Sequence, residues 1–304
     1  MMIGSGEQTA ARSQTALAVL KITLGYDGTG FWGSQRQASV RTVQQELDRA
    51  LERLGGQTAA TEFAGRTDRG VHALGQVVRS ADIRPEMPPE AILNALNRLT
   101  PDDLAIASVL RVEAGFHPRY DATWREYRYR LWVGGKQPLM ERFAWTRRTE
   151  LDIEAMASAA VLLEGTHDLA TFTGGGEGVP WSARATARRG TVRTIYHCGV
   201  RAVGPWWGVL QGAGTGIEIR IVADGFLPQL VRTVTGGLVS VGLRERPVEW
   251  FAELLDGADR RSGPVLAPAH GLILWRVGYG NDVPDPDPNG KQIVSPLTAH
   301  MERG

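Results

Sequence analysis

The fold of this chain is decided first by ALAVLKITLGYD, residues 16–27, and by TVQQELDRALERLGG, residues 42–56. The first segment is a largely apolar run, which is typical of a buried strand. The second repeats its apolar side chains every three or four residues, which predicts a helix with one buried face, and its final glycine pair predicts the helix end. The residues of that face are Val43, Leu47, Leu51 and Leu54.

The chain continues to alternate between strand and helix up to about residue 112. Strand-like runs occur at 61–66, 75–80 and 104–112. PPEAILNALNRL, residues 88–99, predicts a helix with Pro89 near its start. The apolar stripe of that helix is Ile92, Leu93, Leu96 and Leu99. The resulting order, strand–helix–strand–strand–helix–strand, is ferredoxin-like.

The second half of the sequence repeats this pattern. Its first predicted strand is WREYRYRLWV, residues 124–133, and an Asp-capped helix follows at 152–165. The remaining predicted strands are 191–200, 206–211, 216–224 and 271–279, and the remaining predicted helices are 229–243 and 248–257. These elements predict an α+β fold of two lobes, and the cleft between the lobes is the expected ligand site.

The chain divides into four parts on this interpretation. Residues 1–16 are small and polar, and residues 281–304 are rich in proline without periodicity, so both are expected to be flexible tails. Between them we expect an N-terminal lobe of residues 17–118 and a C-terminal lobe of residues 119–280.

The composition is that of a globular protein. Of 304 residues, 42% are hydrophobic and 22% are charged, which excludes disordered and collagen-like classes. The single cysteine cannot form an internal disulfide, which favours a reducing compartment. The sequence has no signal-peptide pattern and no apolar run of about 18 residues, so we expect a soluble, cytoplasmic protein with no membrane segment.

The near-zero net charge hides two basic segments. The formal charge is +1, from 34 basic and 33 acidic side chains. Residues 116–148 carry eight basic and three acidic side chains, and residues 182–201 carry five arginines and no acid, so each segment has a local charge of +5. Such segregation is typical of a protein that binds a polyanion, although solvated loop arginines give the same pattern.

The most informative motif is AGRTDRGVHA, residues 64–73. Its carboxylate, Asp68, lies between Arg66 and Arg69, whose positive charges favour the ionised form. An ionised carboxylate suits a nucleophile or a general base rather than a proton donor. The alternative is an aspartate in a local turn beside solvated arginines.

Alternation along WREYRYRLWV predicts two different faces of one strand. Tyr127 and Tyr129 share a face with Arg125, whereas Glu126 shares the other face with Arg128. Aromatic rings interleaved with arginines suit RNA, because bases stack on rings while guanidinium groups hold phosphates. An ordinary aromatic-rich strand is the alternative.

A third candidate is DGFLPQLVR, residues 224–232, where a strand turns into a helix. Arg232 lies one turn into an otherwise apolar helix. A cation in such a place needs a counter-ion, and a carboxylate is the usual partner. The alternative is an arginine whose stem lies along the apolar surface while its charge reaches solvent.

A fourth pattern, GTGFWG at residues 28–33, matches the glycine spacing of dinucleotide-binding turns. Such a turn must open a helix at once, whereas here the next predicted helix begins about ten residues later. We therefore interpret it as a glycine-rich loop after the first strand.

Four motifs occur in order within about residues 19–280, namely YDGTGFWGSQRQ, GRTDRGVHALGQV, FHPRYDATWREYRYRLW and DGFLPQLVRTVTGGLVSVG. In this order and spacing the chain resembles the bacterial tRNA pseudouridine synthase A family. The resemblance implies a pseudouridine synthase fold of two ferredoxin-like (RRM-like) lobes, with a central, mostly antiparallel mixed sheet and the catalytic cleft between the lobes. It also implies a homodimer that needs neither a metal nor an organic cofactor.

The resemblance implies that uridine is isomerised to pseudouridine at positions 38, 39 and 40 of the tRNA anticodon stem-loop. Asp68 matches the catalytic aspartate, Tyr127 the tyrosine that stacks on the target base, and Arg232 the arginine that pairs with the aspartate. Arg66 matches a position that contacts tRNA. An RNA-contacting segment is matched by residues 116–120, which include Phe116, His117, Arg119 and Tyr120.

The sequence departs from the family pattern at three places. Ser34 stands where the family usually has Trp, and Arg69 stands where a small residue is common. Leu227, Pro228 and Gln229 occupy positions that often carry aromatic or His side chains. None of these departures replaces a residue that matches the catalytic set.

Pseudouridine formation breaks the N-glycosidic bond of uridine, rotates the base and rejoins it through carbon. The base must therefore leave its stack, which costs a few kcal/mol, and stacking on Tyr127 at roughly 1–3 kcal/mol offsets much of that cost. Asp68 acts either as a nucleophile at the sugar or as a base at its 2′ position, and the sequence leaves both open.

Two other functions fit parts of the sequence. A non-catalytic RNA-binding protein of two RRM-like lobes would use the basic segments, but it gives no reason for Asp68 between two arginines, and the RNP1 pattern is missing from the sequence. An NAD-dependent enzyme would rest on residues 28–33 alone. No metal is predicted, because His117, His167 and His270 lack metal-ligand spacing.

Overall fold

The computed structural model describes residues 18–56, 60–173, 190–204, 214–256 and 263–280. Within these ranges the chain forms ten β-strands and five α-helices. Both predicted tails and the predicted strand at 206–211 lie outside the described residues.

A single mixed sheet organises the molecule. Its main path runs in the order β4-β1-β3-β10-β5-β9-β8-β7, and two short strands add to it, since β2 pairs with β3 and β6 pairs with β5. The neighbours are antiparallel except β3–β10 and β5–β6. The bounds are β1 (Val19–Tyr26), β2 (Glu62–Phe63), β3 (His72–Ala81), β4 (Leu104–Val112), β5 (Ala122–Gly134), β6 (Trp145–Arg147), β7 (Gly165–Asp168), β8 (Val192–Val203), β9 (Gly214–Ala223) and β10 (Leu272–Tyr279). The predicted α+β class and the mostly antiparallel mixed sheet are confirmed.

The five predicted helices are all present. They are α1 (Val43–Gly55), α2 (Pro89–Leu99), α3 (Ile153–Val161), α4 (Leu230–Gly242) and α5 (Val248–Leu255). Thr42 and Asp152 cap the starts of α1 and α3 with their side chains, and Gly56 ends α1 in the left-handed conformation with φ 71°. None of the helices in the described ranges is long and apolar enough to cross a membrane.

Strand β10 joins the two halves of the molecule. It lies between β3 of the first half and β5 of the second, with Ile273 opposite His72 on one side and Leu274 opposite Tyr127 on the other. The last described strand therefore completes the sheet at its centre rather than extending an edge. The division of the chain into lobes at residues 118 and 119 stays a prediction.

The two faces of β5 have different surroundings, as its alternation predicts. Tyr127, Tyr129 and Leu131 belong to the hydrophobic core, into which the helices also pack. On the other face Glu126 is 0% exposed and accepts hydrogen bonds from the guanidinium groups of Arg128, Arg220 and Arg276. The Nε atoms of Arg128 and Arg220 lie 2.8 Å and 3.1 Å from Oε1, and Nη2 of Arg276 lies 3.0 Å from Oε2.

This network changes the interpretation of the basic segment at 116–148. Arg128 pairs with Glu218 as well as with Glu126, so its charge is balanced inside the protein. Arg142 pairs with Asp27 at 2.5 Å. Both arginines are thus engaged in ion pairs within the chain, Arg128 largely buried and Arg142 59% exposed.

Candidate active site

A cleft of about 410 Å³ lies where three segments of the chain meet. The loop after β1, the loop between β2 and β3, and the start of α4 each contribute side chains to its wall. The cleft is lined by Trp32, Gly33, Gln35, Gln37, Arg66, Thr67, Asp68, Arg69, Gln229 and Arg232. Three of the residues that the sequence singled out, Arg66, Asp68 and Arg232, are thus brought together in one place.

Arg232 reaches Asp68 from the first turn of α4. Its Nη1 atom donates to Oδ2 of Asp68 at 3.3 Å, and its Nε atom donates to the carbonyl oxygen of Ala267 at 2.8 Å. The side chain of Arg232 is only 14% exposed, whereas that of Asp68 is 46% exposed. The guanidinium group is thus held in place by the protein, while the carboxylate remains open to a substrate.

The loop that carries Asp68 is anchored through the preceding residue, Thr67. The Ser34 hydroxyl accepts a hydrogen bond from the Thr67 backbone nitrogen at 2.9 Å, and the Ser34 nitrogen donates to the Thr67 carbonyl at 3.1 Å. The Tyr26 hydroxyl bonds the Thr67 hydroxyl at 2.8 Å. Because Ser34 is only 1% exposed, these contacts are protected from water and fix the backbone beside Asp68.

The glycines of the GTGFWG pattern allow the loop after β1 to lie very close to the loop that carries Asp68. A Cβ at Gly28 would lie 2.0 Å from the carbonyl oxygen of Val71, and one at Gly33 would lie 2.8 Å from that of Thr67. Gly33 also has φ 99°, which L side chains rarely adopt. The glycines therefore let the loop after β1 pack directly on the Asp68 loop.

The dinucleotide interpretation of the same glycines loses its structural basis. Residues Gly28–Gly30 form one turn of 3₁₀ helix, capped by the side chain of Asp27, and α1 begins only at Val43. Phe31 is buried in the core. No helix N-terminus therefore follows this turn to receive a pyrophosphate within the described part of the chain.

Tyr127 lies in the core close to the Asp68 loop. Its ring meets the ring of Phe226 edge-on, with centroids 4.8 Å apart and an interplanar angle of 74°. A Cβ at Gly65 would lie 3.8 Å from the Tyr127 hydroxyl oxygen. Burial, with a smaller contribution from the negative charge of Asp68, raises the pKa of Tyr127 and keeps its hydroxyl protonated.

Arg66 and Arg69 flank Asp68 on the open side of the cleft. Both are exposed, and no hydrogen bond or ion pair to Arg66 is made by any residue in the described ranges. The guanidinium carbon of Arg69 lies 3.7 Å from the centroid of the Trp32 ring. With Arg232, three arginines and one carboxylate line the cleft, so it is positively charged and suits an anionic substrate.

The segment from Phe116 to Tyr120 lies outside the residues that line the cleft. The Phe116 ring packs on the Tyr279 ring with centroids 5.3 Å apart. The His117 ring stacks on the exposed Tyr120 ring at 4.2 Å, and its Nδ1 atom accepts hydrogen bonds from the backbone nitrogens of Arg119 and Tyr120 at 3.1 and 3.3 Å. The segment is therefore a compact turn that presents an aromatic surface to solvent.

Arg125 connects this segment to the Asp68 loop. Its guanidinium group donates to four carbonyl oxygens, at distances of 2.6–3.4 Å; they belong to Arg119, Asp224, Ala122 and Ala64. Burial lowers the pKa of Arg125. Arg125, which shares a strand face with Tyr127, thus connects three parts of the chain through hydrogen bonds.

Sequence reasoning missed several residues of the cleft. Trp32, Gln35 and Gln37 belong to a motif that contributed to the resemblance, but no role was assigned to them. Gln229 takes the left-handed conformation, with φ 61°, at the start of α4. A strained backbone at a cleft is frequently functional, but a positive φ at a glutamine has no signature in the sequence.

The second basic segment, residues 182–201, is described only in part. Arg184, Arg188 and Arg189 lie outside the described residues. Arg193 donates to the carbonyl oxygens of Gly190 and Val192, and Arg201 pairs with Glu218 at 2.8 Å.

His167 and His270 are accounted for by local contacts and burial. Nε2 of His167 lies 3.1 Å from the carbonyl oxygen of Glu164, and burial lowers the pKa of His270. In the described ranges, no three His, Cys, Asp or Glu side chains are grouped so that they could hold a metal ion.

Comparison with known proteins gives one consistent result. A family model described as tRNA pseudouridine synthase matches residues 23–121 and 159–280. The tRNA pseudouridine synthase A of Thermotoga neapolitana is 39% identical over 253 residues, which cover 83% of this chain and 96% of that protein. The protein of the same name from Solidesulfovibrio magneticus is 41% identical over 273 residues, which cover 87% of this chain and 92% of that protein.

Proposed function

Because this chain belongs to the tRNA pseudouridine synthase family, we propose that it isomerises uridine to pseudouridine at positions 38, 39 and 40 of the anticodon stem-loop of tRNA. The pseudouridine synthase fold expected from the motifs is confirmed by the same family match. The observation that carries the proposed chemistry is the Asp68–Arg232 ion pair in a positively charged cleft.

Asp68 is the residue that attacks or deprotonates the target nucleoside. Its carboxylate is open to the cleft, and it is oriented by a guanidinium group that is itself held by the Ala267 carbonyl. Both the nucleophilic and the 2′-deprotonation mechanism require a carboxylate that faces the nucleoside, and the contact with Arg232 fixes that orientation. Since the lining contains Arg66 and Arg69 as well, the phosphates beside the target uridine meet compensating charge.

Tyr127 supplies the ring on which the extruded base stacks. The Phe226 ring fixes its orientation, and its protonated hydroxyl adds no negative charge beside Asp68. A ring that is held by core packing before the substrate arrives loses little conformational entropy on binding. Stacking at about 1–3 kcal/mol per base then offsets the cost of extrusion.

The remaining contacts to tRNA come from Arg66 and from Phe116, His117, Arg119 and Tyr120. The His117–Tyr120 stack offers an aromatic surface of the kind that binds unpaired bases. The complete proposal also includes a cytoplasmic homodimer of two-lobed subunits, with no metal and no organic cofactor.

A direct experiment tests the reaction. The purified protein is incubated with unmodified tRNA and no additive, and pseudouridine is then mapped in the anticodon arm. We expect product at positions 38, 39 and 40 wherever these are uridine. An RNA-binding protein without catalytic activity, the rival of a different class, would bind the tRNA and leave every uridine unchanged.

A second experiment tests Asp68 itself. Formation of the new bond at C5 displaces the hydrogen there, so turnover of tRNA made with 5-tritiated uridine releases tritium. We expect Asp68→Asn to bind tRNA nearly as well as the wild type and to release no tritium. Asp256→Asn makes the same chemical change at an exposed residue after α5 and should retain full activity. Wild-type turnover by Asp68→Asn would refute the assignment.

A further inference from the structure

An arginine that lies over a tryptophan ring lines the Asp68 cleft, and the function proposed above gives the tryptophan no role. The guanidinium carbon of Arg69 lies 3.7 Å from the centroid of the Trp32 ring, which is the geometry of a close cation–π contact. Both side chains line the cleft that holds Asp68.

The backbone of the tryptophan is held by hydrogen bonds, while its side chain remains open to solvent. The Trp32 backbone nitrogen donates to the Arg41 carbonyl at 2.9 Å, and its own carbonyl accepts from the Gln37 side chain at 2.8 Å. Its neighbours Phe31 and Gly33 are buried, yet Trp32 is 46% exposed. A large apolar ring that is fixed and exposed in a polar cleft is poised for contact with a ligand.

The arginine of the pair keeps its hydrogen-bonding capacity. In the described part of the chain, no hydrogen bond or ion pair engages the Arg69 guanidinium, whose central carbon lies over the Trp32 ring. A cation–π contact uses none of its N–H donors, so these are left for an acceptor in the cleft. A phosphate is the acceptor that matches this fork geometry and charge.

We propose that Trp32 and Arg69 form a subsite for the nucleotide next to the target uridine, in which its base stacks on Trp32 and its phosphate binds Arg69. This inference rests on the proposed function and adds to it a second nucleotide position. The physical reason is the extrusion of the target base, which deprives the neighbouring base of a stacking partner. The exposed Trp32 ring replaces that partner, and the phosphate contact keeps the nucleotide in register with Asp68.

Binding of a synthetic anticodon stem-loop RNA tests the subsite without turnover. All variants are made in an Asp68→Asn background, and the dissociation constant is measured over a series of salt concentrations. We expect Trp32→Ala to weaken binding by about tenfold with an unchanged salt dependence, and Trp32→Phe to stay within a few fold of the parent. We expect Arg69→Ala to reduce the slope of log K against log salt concentration by about 1.

Two further variants serve as controls. Arg69→Lys keeps the charge but lacks the planar group, so it should retain the salt slope and still bind more weakly than the parent. Arg98→Ala removes a charge at an exposed residue in the last turn of α2 and should leave affinity unchanged. Melting temperatures establish that each variant is folded. If Trp32→Ala fails to fold, the comparison of Arg69→Ala with Arg98→Ala tests whether the subsite exists.

Turnover by variants that retain Asp68 separates this inference from the proposed function. A subsite for the neighbouring nucleotide predicts a higher KM and an altered ratio of products at positions 38, 39 and 40 in Arg69→Ala. Wild-type affinity, salt slope and product ratio in Arg69→Ala and Trp32→Ala would overturn the subsite while leaving the proposed function intact. RNA binding that depends on both residues, in a protein that makes no pseudouridine, would instead support the subsite and refute the proposed function.

Discussion

The guanidinium group of Arg232 donates to the carboxylate of Asp68 at 3.3 Å, although 164 positions of sequence separate the two residues. Arg232 is nearly buried and is also bonded to the Ala267 carbonyl, whereas Asp68 is nearly half exposed. An ion pair with one fixed and one accessible member contributes little to folding, because solvent screens the exposed member. Its value lies in orienting the carboxylate.

We expect Arg232→Ala to reduce kcat for pseudouridine formation by about 100-fold or more, the effect of removing one preorganised charged donor. The free energy of unfolding should fall by more than the exposed ion pair alone accounts for, since the Ala267 carbonyl also loses its donor. Single-turnover tritium release and urea unfolding measure the two effects.

The matched control for this prediction is Arg244→Ala. Arg244 also pairs with an aspartate, Asp152, at 3.1 Å, but it lies on the surface away from the cleft lining. Its removal should leave kcat unchanged. An equal loss of kcat in the two variants would show that the Asp68 contact has no special role.

Tyr127→Phe and Tyr127→Leu should differ in activity. Phenylalanine keeps the ring that meets Phe226 and offers the same stacking surface, and no residue in the described ranges hydrogen-bonds the lost hydroxyl. We therefore expect Tyr127→Phe to retain most of kcat/KM and Tyr127→Leu to lose at least tenfold, since stacking is worth about 1–3 kcal/mol per base. Equal activity of the two variants, at equal folded fractions by circular dichroism, would remove the stacking role.

Ser34→Ala should loosen the Asp68 loop. The buried Thr67 backbone nitrogen would lose its acceptor, which costs about 1–3 kcal/mol of unfolding free energy. Because the same bond fixes the backbone beside Asp68, kcat should fall while KM changes less. Ser34→Thr keeps the hydroxyl and is the rescue variant, so a kcat equal to that of Ser34→Ala would argue against a role of the hydrogen bond in positioning.

Local elements of this fold were predictable because their determinants are local. The apolar stripe of α2, with Ile92 and Leu96 buried, and the capping Gly56 follow directly from spacing and residue type. The position of β10 between β3 and β5 was not predictable, because strand pairing over such separations leaves no periodic pattern in the chain. The ion pairs of Arg128 with Glu126 and Glu218 were not predictable either. The basic segment around Arg128 indicated phosphate contacts instead.

The candidate site divides in the same way. The sequence marks Asp68 as a carboxylate between two arginines, which suits a nucleophile or a base, and Arg232 as a cation on an apolar helix, which needs a counter-ion. Trp32 stands in a glycine-rich loop where nothing in the sequence indicates a role for its ring. Its role depends on exposure and on the position of Arg69 above its ring, which only the folded chain defines.

Arg125→Met should uncouple the turn at 116–120 from the Asp68 loop. The guanidinium group donates to the carbonyl oxygens of Arg119 and Ala64, which methionine can contact but cannot bond. Loss of hydrogen bonds to several buried carbonyls should cost about 2–4 kcal/mol of unfolding free energy. Arg125→Lys should recover only part of the lost unfolding free energy, because an ammonium group cannot span the same four acceptors.

Hydrogen exchange at the backbone measures this uncoupling. We expect faster exchange at residues 64–68 and 116–121 in Arg125→Met, with little change in the distant helix α3. Uniformly faster exchange across the whole chain would indicate general destabilisation rather than loss of a clamp.

Glu126 should make the stability of the protein depend on pH in the acidic range. Burial by itself would raise the pKa of this carboxyl, but the hydrogen bonds and charges of Arg220 and Arg128 outweigh it and hold the pKa below its usual value. A carboxyl with a lowered pKa in the folded state stabilises the protein above its unfolded-state pKa of about 4.5, and this contribution is lost as the pH falls through the folded-state value.

Glu126→Gln tests this directly. At pH 7 we expect it to lower the free energy of unfolding by about 3 kcal/mol, because three guanidinium groups would share a neutral amide. Urea unfolding at a series of pH values should show the gap between wild type and variant narrowing below about pH 4.5, as the wild type loses its ionised carboxylate. Glu253→Gln, an exposed change on α5, should stay within about 0.5 kcal/mol of the wild type at pH 7. A gap that stays constant from pH 7 to pH 3 would mean that the carboxylate charge does not stabilise this face of the sheet.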